Sequence, residues 1–325
     1  MPKILVTTVP FSTMDSRPIE LLKARGFDFE VNPLGRKLKE SELKEFVKDY
    51  DALIAGTEQI SKAVLDGASR LKLISRVGIG LDNVDLLTAK SKGIRVAYTP
   101  DGPTQAVADL TIGMMLSLLR QVQLSNLQLR RGTWHRFFGR RLGNVTVGLI
   151  GVGRIGVEVL ERLQSFNPRI LVNDIVPKPQ LNNRFNIEWV DKETIYKEAD
   201  VISLHVPLTS KTKGLIGRKE LEMMKPDALL VNTARGGIVD EADLYHVLQS
   251  GHLGGVALDV FEEEPYSGPL LEIERCLFTA HMGSMTIDCR NQMELEATEE
   301  VVRFFTGDPL KNEVPAMEYE IQAGV

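Results

Sequence analysis

The plainest chemistry in the sequence is a turn built to hold phosphate. Gly151-Val152-Gly153-Arg154-Ile155-Gly156 directly follows the strand-like run Val147-Gly148-Leu149-Ile150 and opens a helical segment carrying Val157, Val159, Leu160 and Leu163. In such a turn the three glycines have separate tasks: a tight bend, close backbone approach to a pyrophosphate, and close packing of helix on strand. The helix start then presents N–H groups and a positive dipole end to the phosphates. Glycine-rich turns also occur in α/β proteins that bind no nucleotide, so the context matters. Here the next strand-like run ends in Leu171-Val172-Asn173-Asp174, with Asp174 lying 18 residues past Gly156, close to the roughly 20 expected of an acid that binds a ribose. A carboxylate accepts hydrogen bonds from ribose hydroxyls and repels a 2′-phosphate, which favours NAD over NADP. Lys178 is the one nearby residue that could soften that preference.

Several further motifs follow in order. They are Gly78-Ile79-Gly80-Leu81-Asp82-Asn83-Val84-Asp85, His205-Val206-Pro207-Leu208-Thr209, Asn232-Thr233-Ala234-Arg235-Gly236-Gly237-Ile238-Val239-Asp240-Glu241, Asp259-Val260-Phe261-Glu262-Glu263-Glu264-Pro265 and Thr279-Ala280-His281-Met282-Gly283-Ser284. From about Leu53 to Pro309 the chain resembles the D-2-hydroxyacid dehydrogenases, with the phosphoglycerate dehydrogenase branch nearest. The resemblance implies Arg235, Glu264 and His281 as the catalytic set. A guanidinium grips a carboxylate through two parallel hydrogen bonds and keeps its charge, although a structural arginine on a glycine-rich loop is the other reading of Arg235. A histidine, with an ordinary pKa of about 6.5, can take and return a proton near neutrality. Glu264 would orient the imidazole and stabilise its protonated form. The resemblance further implies that Gly151, Gly153, Arg154, Ile155, Gly156, Asp174, His205, Pro207, Thr233, Ala234, Arg235, Asp259, His281, Gly283 and Ser284 contact NAD, Asp259 at the carboxamide. It places Gly78, Ile79 and Gly80, with Arg235 and His281, against the substrate.

The departures narrow the substrate. Gly56-Thr57-Glu58-Gln59 stands where phosphoglycerate dehydrogenases often carry an arginine, so one phosphate ligand is missing and an acid is close by. Trp134-His135-Arg136-Phe137-Phe138-Gly139-Arg140-Arg141 matches a basic segment that helps bind the substrate phosphate in that branch; a solvated basic loop is the alternative. Ala280 replaces a usual proline and Asp109 a common glutamate, neither of which disturbs the relay. Ile79 weighs against phosphite-oxidising relatives, which have lysine there, and Glu264 against formate-oxidising ones, which have glutamine. With the sequence ending at Val325, an appended regulatory domain and control by serine are not expected. The expected activity is hydride transfer between NAD and a small D-2-hydroxy acid. A glyoxylate or hydroxypyruvate reductase is the enzymatic alternative, and an NAD-sensing transcriptional co-repressor the alternative of another class.

The elements that would position these residues are legible as two β/α series. Strand-like runs at 3–7, 27–31, 52–55, 72–75 and 94–97 alternate with helical ones at 18–25, 40–48, 63–68 and 84–92. A second set of strands, at 145–150, 170–173, 201–204, 229–232, 256–258 and 277–279, precedes a long amphipathic helix over 284–305. Alternation of this kind implies parallel sheets covered on both faces. The expected fold is α/β with two doubly wound lobes, a Rossmann NAD lobe (101–284) and a flavodoxin-like substrate lobe (1–100 with 285–325), and a cleft between them. One helix is expected over 104–131. Its first half is apolar on every side, so it must be covered by its own domain, a neighbouring domain or a second subunit. His246 and His252 read as helix-capping or surface histidines.

Composition sets the remaining bounds. In 325 residues, 43% are hydrophobic and 26% charged, with a formal net charge of −5, which fits a globular chain and leaves no basic surplus for a nucleic-acid partner. The N-terminus lacks the apolar stretch of a signal peptide, and the run 110–119 is too short to span a membrane. Cys276 and Cys289 cannot form a disulfide framework, which suits a reducing cytoplasm. No metal site is expected, and a homodimer is.

Overall fold

In this computed structural model, residues 1–323 are described. Contacts divide the chain into two units, one of Met1–Pro103 with the segment from Ser284 onward, the other Thr104–Gly283. The expected boundaries were 100/101 and 284/285.

The first unit holds five strands, β1 (Lys3–Val6), β2 (Asp28–Val31), β3 (Ala52–Ala55), β4 (Leu73–Arg76) and β5 (Arg95–Ala97), all parallel and ordered β2-β1-β3-β4-β5. This is the flavodoxin-like order, which reverses beside β1. β3 and β4 are buried throughout, whereas the edge strand β2 alternates exposed and half-buried residues; this is why the inner strands read as unbroken apolar runs. The helix Ile287–Thr306 returns to this unit. Its N-cap Thr286 accepts from the Cys289 N–H, its C-cap Gly307 has φ +82°, and the Ser75 hydroxyl donates to the Ala297 carbonyl at 2.7 Å. The chain then adds an antiparallel bridge from Glu313 to Ala97 at the sheet edge.

The second unit holds β6 (Thr146–Ile150), β7 (Arg169–Asn173), β8 (Glu188–Trp189), β9 (Val201–Leu204), β10 (Leu229–Asn232), β11 (Gly255–Leu258) and β12 (Leu277–Phe278). They form one parallel sheet ordered β12-β11-β10-β9-β6-β7-β8. Alternate residues feed two cores, one on each face: Ile202, Leu204, Leu230, Val256 and Leu258 on one side, Val147, Leu149, Val201, Val231 and Ala257 on the other. Strand order reverses at β6, so the carboxyl ends of β6 and β9 diverge into the crevice where such sheets bind ligands. β8, a two-residue edge strand, has no counterpart in the sequence reading.

The expected single helix over 104–131 is a correction. Two helices occur, Pro103–Leu119 and Val122–Arg130, broken at Gln121, whose φ is +52°. The Leu119 carbonyl, which a continuous helix would bond to its own next turn, accepts instead from the Arg140 N–H at 2.9 Å. Gly139 makes this approach possible: a Cβ there would lie 2.5 Å from the same carbonyl oxygen. The apolar first helix is covered largely within its own unit, where Ala108, Ile112, Met114, Met115, Leu118 and Leu119 join the core. Among the described residues no helix is long and apolar enough to cross a membrane.

Candidate active site

The glycine turn sits at the reversal point of the seven-stranded sheet. Gly151 has φ +98°, and a Cβ on it would meet the His205 carbonyl oxygen at 2.4 Å; one on Gly156 would meet the Gly151 carbonyl oxygen at 2.4 Å. Both glycines are therefore required by the chain's own packing. Gly153 differs: nothing lies within 4 Å of where its Cβ would be, so the protein leaves open the one position whose missing side chain serves a ligand. Gly153 is also the N-cap of the helix Arg154–Leu163, which no side chain caps. These features fit a dinucleotide pyrophosphate, with the N–H groups of Ile155 and Gly156 at the helix start.

Asp174 follows β7 and closes on this turn. Its Oδ2 accepts from the Val152 N–H at 2.7 Å and its Oδ1 from the Val176 N–H at 3.0 Å. Lys178 donates from Nζ to the Val152 carbonyl at 2.6 Å. On the other side of β6, His205 continues β9 with its N–H on the Ile150 carbonyl at 2.8 Å, and its Nε2 lies 2.9 Å from the Ser203 hydroxyl. Burial pushes the His205 imidazole pKa down to about 4, so the ring is neutral at ordinary pH and suits lining a pocket. Pro207 follows, its carbonyl accepting from the Thr212 hydroxyl at 2.6 Å.

The second group of residues occupies the loops after β10, β11 and β12, which are neighbours in the sheet. His281 Nδ1 lies 3.0 and 2.9 Å from the two carboxylate oxygens of Glu264. An ionised carboxylate only accepts, so Nδ1 carries the proton and Nε2 is the atom left for chemistry. Glu264 Oε1 also accepts from the Phe261 N–H at 3.2 Å. Arg235 is three residues past β10, with Nη1 donating to the Ala234 carbonyl at 2.6 Å. Its loop is drawn against the Glu264 loop by Gly236, where a Cβ would lie 1.9 Å from the Phe261 carbonyl oxygen. The Asn232 side chain shapes the same turn, accepting from the Ala234 N–H and donating to the Arg235 carbonyl. The Thr233 hydroxyl is 2.8 Å from that of Thr111.

Asp259 does something the sequence reading did not anticipate. It is 1% exposed. Its Oδ1 accepts from the Thr279 hydroxyl at 2.5 Å and the Met282 N–H at 2.8 Å, and its Oδ2 from the Gly283 N–H at 2.8 Å. Its carbonyl accepts from the His281 N–H at 2.8 Å. His281 has φ +50°, a left-handed conformation that a non-glycine residue holds only when its surroundings insist. Asp259 supplies that insistence, so three of its roughly four acceptor positions hold the histidine turn.

The remaining candidates lie in the other unit. Gly78 follows β4 with φ +140°, half-buried beside Ile79 and Gly80, and its Cβ would meet Arg76 Nη1 at 2.7 Å. The Gly78 N–H is already bound to the Thr99 hydroxyl at 2.7 Å; it is therefore not an open donor, and Ile79 and Gly80 are the N–H groups left in the motif. Ser284 groups with this unit rather than with Gly283. His252, expected at a helix end or surface, bonds the Met224 carbonyl through Nε2 at 2.9 Å. Among the described residues no group of three His, Cys, Asp or Glu could hold a metal ion.

Comparison with known proteins places this arrangement. Residues 112–283 match the family described as D-isomer specific 2-hydroxyacid dehydrogenase, NAD binding domain. The chain is 38% identical over 320 residues to D-3-phosphoglycerate dehydrogenase of Methanocaldococcus jannaschii, covering 97% of this chain and 59% of that protein, so it spans under two thirds of that relative's length. It is 37% identical over 277 residues to glyoxylate reductase of Thermococcus litoralis, covering 82% and 84% of the two chains. It also superimposes on D-lactate dehydrogenase from Aquifex aeolicus complexed with NAD and lactic acid, with TM-score 0.86, 26% identity and 96% and 98% coverage. The glycine turn and Asp174 at the sheet's reversal point, together with that match over most of the second unit, mean that this chain belongs to the D-isomer specific 2-hydroxyacid dehydrogenases, NAD-dependent oxidoreductases whose NAD-binding domain lies in its Thr104–Gly283 unit.

Proposed function

We propose that this chain interconverts a small D-2-hydroxy acid and its 2-oxo partner, with Arg235, Glu264 and His281 as the catalytic residues. The observation that carries this reading is the Glu264–His281 pair, at 2.9 and 3.0 Å, on neighbouring loops of the NAD-binding unit. NAD, held at the Gly151–Gly156 turn, would supply the hydride acceptor for oxidation and the hydride donor for reduction. His281 takes the hydroxyl proton at Nε2 during oxidation and returns it to the carbonyl oxygen during reduction. Glu264 keeps the ring oriented through Nδ1 and favours the imidazolium that forms. Arg235 binds the substrate carboxylate.

The NAD contacts proposed are Gly151, Gly153, Arg154, Ile155, Gly156, Asp174, His205, Pro207, Thr233, Ala234 and Gly283, with Asp259 and Ser284 in lesser roles. Asp259 has one acceptor position beyond those holding the histidine turn.

A small, unphosphorylated substrate is favoured over a phosphorylated one by Glu58. This carboxylate is 1% exposed and accepts from the Gly56 N–H at 3.0 and 3.1 Å and from the Thr7 hydroxyl. The Gly56 N–H of the turn after β3 is thus satisfied by an internal acid. Asn83 ties that turn to Arg76, at the root of the Gly78–Gly80 loop, by donating to the Gly56 and Glu58 carbonyls and accepting from Arg76 Nε. A phosphate brought to the turn after β3 meets the Glu58 carboxylate rather than an arginine on that turn.

We place the enzyme in the cytoplasm as a homodimer. Two free, buried thiols, Cys276 and Cys289, support the first. For the second, the helix Val122–Arg130 buries none of its residues, and Trp134 and Phe138 beyond it are 80% and 98% exposed, an apolar surface of the kind a second copy covers. The decisive experiment compares rates with glyoxylate, hydroxypyruvate, pyruvate and 3-phosphohydroxypyruvate, and with the matching 2-hydroxy acids, under one set of conditions. Best turnover on 3-phosphohydroxypyruvate would refute the substrate assignment. No turnover on any of them would favour a binding role such as that of a co-repressor.

A further inference from the structure

We propose that Glu241 is a positioning residue for the Glu264–His281 pair, holding the Glu264 loop through the Glu262 N–H. The proposal rests on reading that pair as the proton relay. Its basis is the peptide joining Phe261 and Glu262, which the segment after β10 grips at two points. Gly236 packs on it so closely that a Cβ would lie 1.9 Å from the Phe261 carbonyl oxygen and 2.5 Å from the Glu262 nitrogen. Glu241 Oε1 accepts from the N–H of the same peptide at 2.7 Å. The neighbouring Phe261 N–H donates to Glu264 Oε1 at 3.2 Å, and Glu264 in turn holds His281 Nδ1. A chain of hydrogen bonds, interrupted by one residue of backbone, thus runs from Glu241 to the imidazole.

Local forces oppose the course that Glu241 takes. It is the first residue of the helix Glu241–Gln249, whose N-cap Asp240 serves the Asp243 N–H. A glutamate serving only the helix dipole could extend into solvent and keep that benefit. Glu241 is instead half-buried. Burial raises its pKa above the usual carboxylate value, as do the negative charges of Glu262, Asp240 and Glu263, and the Glu262 N–H pulls it back. The bond to that N–H is what the inward course achieves. Stacking on Tyr266, with ring centroids 4.4 Å apart and planes at 16°, anchors the Phe261 side chain, but apolar burial is non-directional. Glu241 supplies the direction for the peptide beyond it. Without the bond that peptide can turn, the Phe261 N–H moves under Glu264, and His281 less often presents Nε2 for proton transfer. Small misplacements of this kind slow a chemical step without touching the reacting groups.

The test is single-turnover oxidation of NADH by the fastest of glyoxylate, hydroxypyruvate, pyruvate and 3-phosphohydroxypyruvate, followed by stopped flow. NADH dissociation constants and thermal melts are measured alongside. Glu241→Ala removes the acceptor and should slow hydride transfer about 10-fold, the scale of one charge-assisted hydrogen bond, with the NADH dissociation constant nearly unchanged. Glu241→Gln keeps the reach and an acceptor oxygen and should retain most of the rate. Glu241→Asp keeps the charge but falls one methylene short, so it should be slowed like Glu241→Ala, and it replaces that variant should the alanine protein not fold. In a Glu264→Ala background Glu241→Ala should slow transfer no further, because its effect passes through Glu264, while any loss of melting temperature persists. The proposal is overturned if folded Glu241→Ala or Glu241→Asp transfers hydride at the wild-type rate, or if Glu241→Gln is slowed as much as Glu241→Ala. It is equally overturned if Glu241→Ala costs the same factor with and without Glu264, the mark of a merely structural role. A Glu264→Ala protein as fast as wild type would overturn the relay itself, and the proposal with it.

Discussion

Replacing Asp259 by asparagine tests whether the catalytic histidine is held by a buried carboxylate. Three donors converge on that carboxylate: the Thr279 hydroxyl and Met282 N–H on Oδ1, the Gly283 N–H on Oδ2. Asparagine offers one oxygen and one NH2 in the same volume. If the oxygen serves Thr279 and Met282, the NH2 faces the Gly283 N–H, donor against donor, in a spot where Asp259 is 1% exposed. A buried unsatisfied group costs about 1–3 kcal/mol, and losing charge assistance on the two retained bonds adds about 1 kcal/mol each. The expected loss is therefore about 3–5 kcal/mol of stability in the NAD-binding unit, a large share of the roughly 5–15 kcal/mol a protein has. His281, released from φ +50°, should relax, so kcat should fall in both directions while the NADH dissociation constant changes less. Urea denaturation of the protein without cofactor reads the first effect, and steady-state reduction of a 2-oxo acid with NADH reads the second. An Asp259→Asn protein as stable as wild type without cofactor, and impaired only in NADH binding, would refute the argument and leave Asp259 as a plain cofactor ligand.

Other outcomes follow from single contacts. His281→Ala should cost about 10²–10⁴-fold in kcat, the usual worth of general acid–base help, with NADH affinity nearly intact; stopped-flow turnover with parallel binding measurements checks both. Glu264→Gln keeps an acceptor for Nδ1 but removes the charge, a difference of about 1 kcal/mol for a partly exposed pair, so reduction, which needs the imidazolium, should slow about 5-fold and oxidation less. Gly236→Ala places a methyl on the Phe261 carbonyl, and the overpacking should cost on the order of 1–3 kcal/mol in a melt and displace the Glu264 loop, lowering kcat. For His205 the folded pKa of about 4 lies below the ordinary 6.5. As pH falls from 7 to 5 the unfolded chain takes up a proton that the folded one refuses, so stability present above 6.5 is lost by about 2 kcal/mol. His205→Gln should remove that portion of the acid sensitivity in denaturation measured at the two pH values.

Local patterns made much of this molecule readable from its residues. Alternating apolar runs and helical spacings announced two parallel α/β units, because central parallel strands are buried on both faces and cannot conceal it. The glycine turn and Asp174 were legible because two successive strands, with one turn and one helix between them, make the site within a short stretch of chain. Arg235, Glu264 and His281 stood out through motif resemblance, each just past a strand end. What the residues alone could not announce depends on contacts between distant segments. Arg120 and Gln121 bring no glycine or proline into the helical reading of 104–131, yet the helix breaks there because the Arg140 N–H takes the Leu119 carbonyl and Gly139 lets the backbone approach. β8 is two residues on a sheet edge, too short to show a period. The engagement of Gly78 by Thr99, the pairing of Glu264 with His281 and the three bonds to Asp259 join residues that the chain separates by 17 to 24 positions. Residue type and spacing thus determined which groups could hold NAD and move a proton. Only the tertiary structure decided which donors were already taken and which ring nitrogen was left for chemistry, because hydrogen-bond partners are chosen by proximity in space.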